Sequence, residues 1–525
     1  MRGPPVTRLP TSESLTFDLL CDPCIRVRLP TGERTALTLP GVFGRLAVDD
    51  VVSFDGLRVH QRTAWHAFLV QVAAMTLGGR GPAAIPADEG WWAAALLALG
   101  GGAPTAWTLV EGDLARPAFL QPPVPEGSVE GFDDIDTPDG LDVLVTSKNH
   151  EGKVDRMRYP SPDHWVYALV ALQTTQGFSG KMNYGIARMN SGFGSRALVG
   201  VTPGTGWGPR FRRDVRVAID ARPDLCRTYG FVEQGGIRLA WILPWDGTPT
   251  SALSLAACDP LCVEVCRRVR LLASGTVLYA RTRSTESARI ACVKGVPNPA
   301  DPWMPVRIED GSPLTLSEQG FTYAKTQDLL FGGDYRRSAA QEVRTDDGPS
   351  PRWSATALVR GQGKTGGLHS REILIPPAAR RQLASVDGVQ TLGRLAKAQV
   401  DRASLVRRKV LRPPLLVLLQ SAPKALNFQD DRTERWLDQY ESSVNASFFS
   451  TLWERSDKVA DDVVWDRRLL DAAGTALKAA IEDCPIPSVH RYRAIATAET
   501  LFSRLARKHL DERAFKFSEG GTDVR

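Results

Sequence analysis

Gly363-Lys364-Thr365 are the three residues that close the phosphate-binding loop of nucleotide hydrolases, and they stand in the stretch LVRGQGKTGGLH at 358–369. That loop needs another glycine five residues upstream, so that the turn wraps phosphate in backbone N–H groups, and a helix directly downstream. Leu358 holds the upstream position, and Gly366, Gly367 and then Arg371-Glu372-Ile373-Leu374-Ile375 read as turn and strand. The pattern predicts a long β-hairpin instead, with arms at 353–359 and 373–375 and a Gly-rich tip carrying Lys364, Thr365 and His369.

Other chemistry-bearing residues give no catalytic set. Cys21 and Cys24 form a lone CxxC with no second pair at zinc-finger spacing, and read as small buried residues at a strand end. Cys258, Cys262 and Cys266 lie four apart, on one helix face if that segment is helical; their second spacing is too long for the three-cysteine motif of radical enzymes. No two of the histidines at 60, 66, 150, 164, 369, 490 and 509 stand as HExxH would place them. Ser179, in Gly177-Phe178-Ser179-Gly180, lacks the GxSxG frame of a nucleophile elbow. The expectation is a protein that is not an enzyme and carries no cofactor or metal.

The densest block is LQTTQGFSGKMNYGIARMNSGFGSR at 172–196, where an apolar helix runs into glycine, amide and basic residues. Glycines let a backbone approach another surface closely. Lys181, Arg188 and Arg196 offer phosphate contacts, and Asn183 and Asn190 offer hydrogen bonds. A Gly-rich structural loop with solvated charges is the alternative reading of the same residues.

The elements that must position this block divide the chain in two. Residues 1–375 are rich in Gly and Pro, with short apolar runs at 25–29, 143–145 and 239–243 and helices at 62–77, 91–99 and 164–172, an irregular, loop-rich α+β region. From 376 to 525 four helices follow, at 382–411, 429–459, 461–483 and 488–511. In the second, Trp436, Tyr440, Val444, Phe448 and Leu452 recur every four residues as one core-facing stripe, which predicts a four-helix bundle. Pro413-Pro414 is expected to end the first helix, and Ser488 to cap the last. The 525 residues, 43% apolar, suffice for two domains. The 65 basic residues barely exceed the 59 acidic ones, so nucleic acid is permitted but not demanded. No run reaches the roughly 18 apolar residues of a membrane helix, and residues 1–10 lack a secretion core, so a cytoplasmic protein without a membrane partner is expected.

The order of several segments resembles the CasA family, the large subunit of the type I-E CRISPR surveillance complex called Cascade. These are Phe17-Asp18-Leu19-Leu20-Cys21-Asp22-Pro23-Cys24-Ile25, Arg116-Pro117-Ala118-Phe119-Leu120-Gln121, Val145-Thr146-Ser147-Lys148-Asn149-His150, the QTTQGF…NYGIARMNSGF block, Arg360-Gly361-Gln362-Gly363-Lys364-Thr365 and the terminal bundle. Cys24 stands where the family more often has an aromatic. The resemblance spans nearly the whole chain and implies partners: the 5′ handle of a guide RNA, double-stranded target DNA, the other Cascade subunits and a helicase-nuclease that is recruited. Such a protein recognises the protospacer-adjacent motif, largely from the minor groove, and helps open the duplex.

The resemblance also implies roles. Lys148, Asn149 and His150 match the loop that holds the RNA handle. Gly177, Phe178, Ser179 and Gly180 with Lys181 and Asn183 match the glycine loop that reads the motif, with Arg188, Asn190 and Arg196 nearby. Gln362, Gly363, Lys364, Thr365, Gly366, Gly367 and Leu368 match the hairpin that wedges the strands, Leu368 being the residue to unstack a base step. Arg281 or Arg283 is the expected minor-groove cation. Arg407, Arg408, Lys409 and Arg412 either follow DNA backbone or favour a helix C-terminus. A stand-alone nucleic-acid-binding protein and a nucleotide-dependent enzyme are the competing classes.

Overall fold

The computed structural model describes residues 15–78, 85–148, 157–189, 192–291, 301–361, 364–421, 425–457 and 461–515. The chain is α+β and divides into two compact units. The first comprises 1–320, 334–342 and 351–372; the second comprises 321–333, 343–350 and 373–525. The second unit thus takes in two segments from the region whose sequence texture belongs to the first.

The first unit is built around helices rather than one large sheet. Helix Arg62–Leu77 is buried nearly all round, from Ala64 to Leu77, and packs with Pro162–Thr175 and Trp207–Tyr229. Trp65, Phe54 and Tyr167 meet edge-on at 5.2–6.5 Å among them, a favoured aromatic geometry. Local signals set the helix ends: Thr38 Oγ1 accepts the Gly41 N–H at the start of Leu39–Ala47, and Gly230 at φ 72° closes Trp207–Tyr229. Small sheets surround this core. Strand Arg352–Arg360 lies between Leu198–Thr202 and Thr365–Leu374, and Arg268–Ser274 pairs with Val277–Arg283, which also pairs with Asp133–Ile135.

Of the short apolar runs, 143–145 is turn, and 239–243 is a strand end running into a tight helical turn. Cys258 and Cys262 lie on strand Cys258–Val263, so the triplet does not share a helix face. Both are buried, and among the described residues no group of three could hold a metal ion.

The second unit is the helical bundle. Trp436, Tyr440, Val444, Phe448 and Leu452 are all buried on helix Glu434–Ser456, so the stripe is core. Polar ties fix its neighbours: the Tyr440 hydroxyl donates to Ala403 O, and Trp465 Nε1 donates to Gln399 O. Pro413-Pro414 does not end the first helix. Helix Val386–Leu405 runs through a wide π turn, Val406–Leu411, into Arg412–Leu419. Proline removes one backbone donor and crowds the carbonyl four residues earlier, and a widened turn just before it relieves both. Ser488 is the first helical residue, preceded by Pro487, and does not cap. No helix among the described residues is long and apolar enough to cross a membrane.

Candidate nucleic-acid interface

The glycine loop grows from helix Pro162–Thr175. Pro162 presets the first turn, and Ser161 and His164 form a reciprocal cap. Past Thr175 the chain makes a narrow stem: the Gly177 N–H donates to Gly194 O and the Phe178 N–H to Gly192 O, both at 2.9 Å. A Cβ on Gly177 would sit 2.7 Å from Gly194 O and closer still to Gly192 O, and one on Gly185 would meet Gln176 O at 2.6 Å. These two glycines are required because backbone fills the space a side chain would need. At the tip, the Ser179 N–H donates to Asn183 O and the Asn183 N–H to Gly180 O, with Gly180 at φ 136°. Lys181, Met182 and Asn183 are exposed on this closed turn. Phe178 supports it, with Tyr184 at 6.0 Å and Phe193 at 5.6 Å between ring centres. The tip therefore presents an ammonium, an amide and an apolar side chain on a fixed backbone, chemistry suited to a groove of nucleic acid.

Arg188 and Arg196 do not share that exposure, which corrects their assignment as phosphate contacts. Arg188 is buried and donates to Glu264 Oε1 at 2.7 Å, Cys262 O at 3.0 Å and Pro260 O at 2.9 Å. Arg196 is buried and pairs with Asp301 at 2.5 Å while donating to Gln71 Oε1 at 3.0 Å. Their charges lock the loop's exit to the core. Asn190 lies outside the described residues.

The hairpin is present, with arms Arg352–Arg360 and Thr365–Leu374, and the Gly361 N–H donates to Lys364 O across its tip. Gln362 and Gly363 lie outside the described residues. The Thr365 hydroxyl donates to Val359 O, and strand rather than helix follows it, so the phosphate-loop geometry is not formed. Leu368 sits within the strand, half-buried against the core of the first unit, and Gly366 and Gly367 lie in the same strand. Leu368 therefore does not stand at the tip, where Lys364 is exposed.

The stem of the glycine loop and the hairpin border one cleft of about 430 Å³. Gly192, Phe193, Gly194 and Ser195 form one wall, Ala357 to Arg360 another, and 312–316 a third. The Arg360 guanidinium donates to Gln176 Oε1, tying hairpin to stem. Sequence reasoning passed over Arg360 and Gln176; the residues were visible, but their meeting across 184 positions was not.

The Lys148 loop hangs from a buried carboxylate. Asp142 accepts from His60 Nε2 at 2.8 Å, Gln61 Nε2 at 2.9 Å, and the Leu144 and Val145 N–H groups at 2.9 and 3.2 Å. Burial alone would raise its pKa; the His60 hydrogen bond and charge, the Val145 N–H and Arg58 outweigh burial and hold it below the usual carboxylate value. Lys148 is exposed at the end of this anchored turn, and Asn149 and His150 lie outside the described residues. Arg281 is tied to Asp134 at 2.8 Å, whereas Arg283 is exposed, 5.9 Å from the Phe132 ring centre. In the bundle, Arg407 pairs with Glu434 and Glu441 at 2.7 and 3.2 Å and Arg412 donates to Phe428 O, leaving Arg408 and Lys409 as the exposed cations of that cluster.

No family model and no curated protein matches the sequence. Solved structures do. Cse1 of Acidimicrobium ferrooxidans is 14% identical with a TM-score of 0.62, over 95% of this chain and 99% of that one. CasA (Cse1) of Thermus thermophilus is 15% identical with a TM-score of 0.60, over 94% and 99%. A chain of a CRISPR RNA-guided surveillance complex is 13% identical with a TM-score of 0.56, over 93% and 99%. Across nearly its whole length, this chain has the fold of the CasA (Cse1) proteins.

Proposed function

We propose that this protein is the large subunit of a type I-E CRISPR Cascade complex. It recognises the protospacer-adjacent motif in double-stranded DNA, helps open the duplex for guide pairing and recruits the helicase-nuclease. The observation that carries the reading is the full-length likeness in fold, which includes a chain of an RNA-guided surveillance complex. The site chemistry supports it: a closed glycine turn exposes Lys181 and Asn183, its stem borders one cleft with strand Arg352–Arg360, and the hairpin that this strand begins exposes Lys364. Minor-groove edges separate A·T from G·C and little more, so this reader tolerates several related motifs, and base pairing with the guide supplies the rest of the specificity. Lys148, with Asn149 and His150, takes the guide's 5′ handle.

The test is target binding by the guide complex, with and without this chain, on duplexes randomised beside the guide-matched segment. Selection of a short flanking motif only when the chain is present, blurred by Lys181→Ala, is the expected result. An unchanged selected pool without the chain overturns the reading.

A further inference from the structure

Three buried donor atoms in and beside the cleft have no hydrogen-bond partner: Ser195 Oγ and Arg360 Nε, on residues that line it, and Gln176 Nε2 next to them. They belong together, since Gln176 and Ser195 face each other in the stem and Arg360 donates to the Gln176 amide oxygen. Ser195, 8% exposed, and Arg360 both line the cleft. Arg267 stands behind them, donating to Tyr184 O and Cys266 O. Among the described residues neither arginine has a carboxylate within ion-pair distance. Burial, and then the charge of Arg267, hold the Arg360 guanidinium below the usual arginine value, while Asp142 acts on it only through a longer-range field, its oxygens being taken by His60, Gln61 and Arg58. Two uncompensated positive charges beside unpaired donors are unfavourable unless an anion completes them.

We infer that Arg360, Ser195 and Gln176 form a phosphate subsite at the cleft, taking one backbone phosphate of a nucleic-acid strand held between the glycine loop and the hairpin. A guanidinium with a free Nε–H, a hydroxyl and an amide N–H together match the oxygens of a phosphodiester, and Arg267 adds charge without direct contact. The inference deepens the proposed function and rests on it for the identity of the strand, but not for the phosphate chemistry.

The experiment uses the full chain and two probes, inorganic phosphate and oligothymidylate. Phosphate is expected to raise the melting temperature of the wild type at constant ionic strength and to leave Arg360→Gln unmoved. For oligothymidylate, Arg360→Gln should lower the slope of log K against log salt by about 0.7, the loss of one single-strand phosphate contact. Ser195→Ala, which removes no charge, should weaken phosphate binding while keeping the slope, and Arg360→Lys should restore most of it. A phosphate effect without a slope change assigns the subsite to free phosphate and overturns the strand. Neither effect in a folded Arg360→Gln overturns the subsite. The larger reading is judged separately, because a phosphate contact carries no sequence information: motif selection that needs this chain, with neither the phosphate effect nor the slope changed by Arg360→Gln, keeps the Cascade assignment and sinks the subsite. Arg360-dependent phosphate binding, with the selected motif the same whether or not this chain is present, keeps the subsite and sinks the assignment.

Discussion

Two pairs of arginines flank the stem of the glycine loop and are treated oppositely. Arg188 and Arg196 are neutralised by Glu264 and Asp301 in the core, and Arg196 also stacks 5.3 Å from the Trp303 ring centre. Arg267, buried, and Arg360, half-buried at the cleft, rest on carbonyl and amide oxygens alone. Residue type is the same and the task differs: the first pair carries its counterions within the chain, the second leaves that place open.

The sharpest way to break this contrast is Asp301→Ala. It strands the buried Arg196 guanidinium, while Arg188 keeps Glu264 at 2.7 Å, and should lower stability by about 3–5 kcal/mol in urea unfolding. A change below about 1 kcal/mol would mean that Arg196 is no better compensated than Arg360. Next in size is Gly177→Ala, which forces apart the stem that both pairs flank. Because backbone rather than a flexible side chain blocks the new methyl, a loss of about 1–3 kcal/mol is expected, together with loss of motif selection. Arg360→Gln should change stability by less than about 1 kcal/mol in either direction, since no carboxylate loses its partner, and a large loss would place it with the structural pair.

Asp142, outside both pairs, gives a pH-resolved comparison. Its folded pKa is depressed, so its stabilisation is fully present above the unfolded value near about 4 and is lost as pH falls through the lower folded value. Amide protection of Leu144 and Val145 should collapse in that acid window. Asp142→Asn should remove the transition. Smallest of all is Lys181→Ala, expected within about 0.5 kcal/mol of wild type in stability while altering motif selection.

Periodicity made parts of the fold legible. Helix Arg62–Leu77 and the stripe on Glu434–Ser456 show in composition and spacing because packing demands them. Helix Trp207–Tyr229 escaped notice: its apolar Phe211, Val215 and Ala218 are diluted by arginines and aspartates, and Pro223 stands inside it. The π turn was hidden too, because a proline pair reads locally as a stop. At the site, the glycine loop and the hairpin could be located from glycine density and the apolar arms. The fates of Arg188 and Arg196 could not, since Glu264 and Asp301 lie 76 and 105 positions away. Leu368 was placed at the tip because a run of glycines conceals where a strand begins.

The interlock of Gly177 and Gly185 also bears on how such a loop can diverge over evolution. Neighbouring backbone occupies the space beside both residues, so drift at either is blocked whatever ligand is read. Lys181, Met182 and Asn183 are exposed; Lys181 and Asn183 can be exchanged without disturbing the stem, and Met182, at φ 66°, by residues that tolerate a left-handed backbone. Invariance among relatives at the two glycines would therefore record geometry, and variation confined to the three tip residues would record a change in what the tip touches. One rigid stem can in this way pass between lineages while the chemistry it presents is rewritten at three positions.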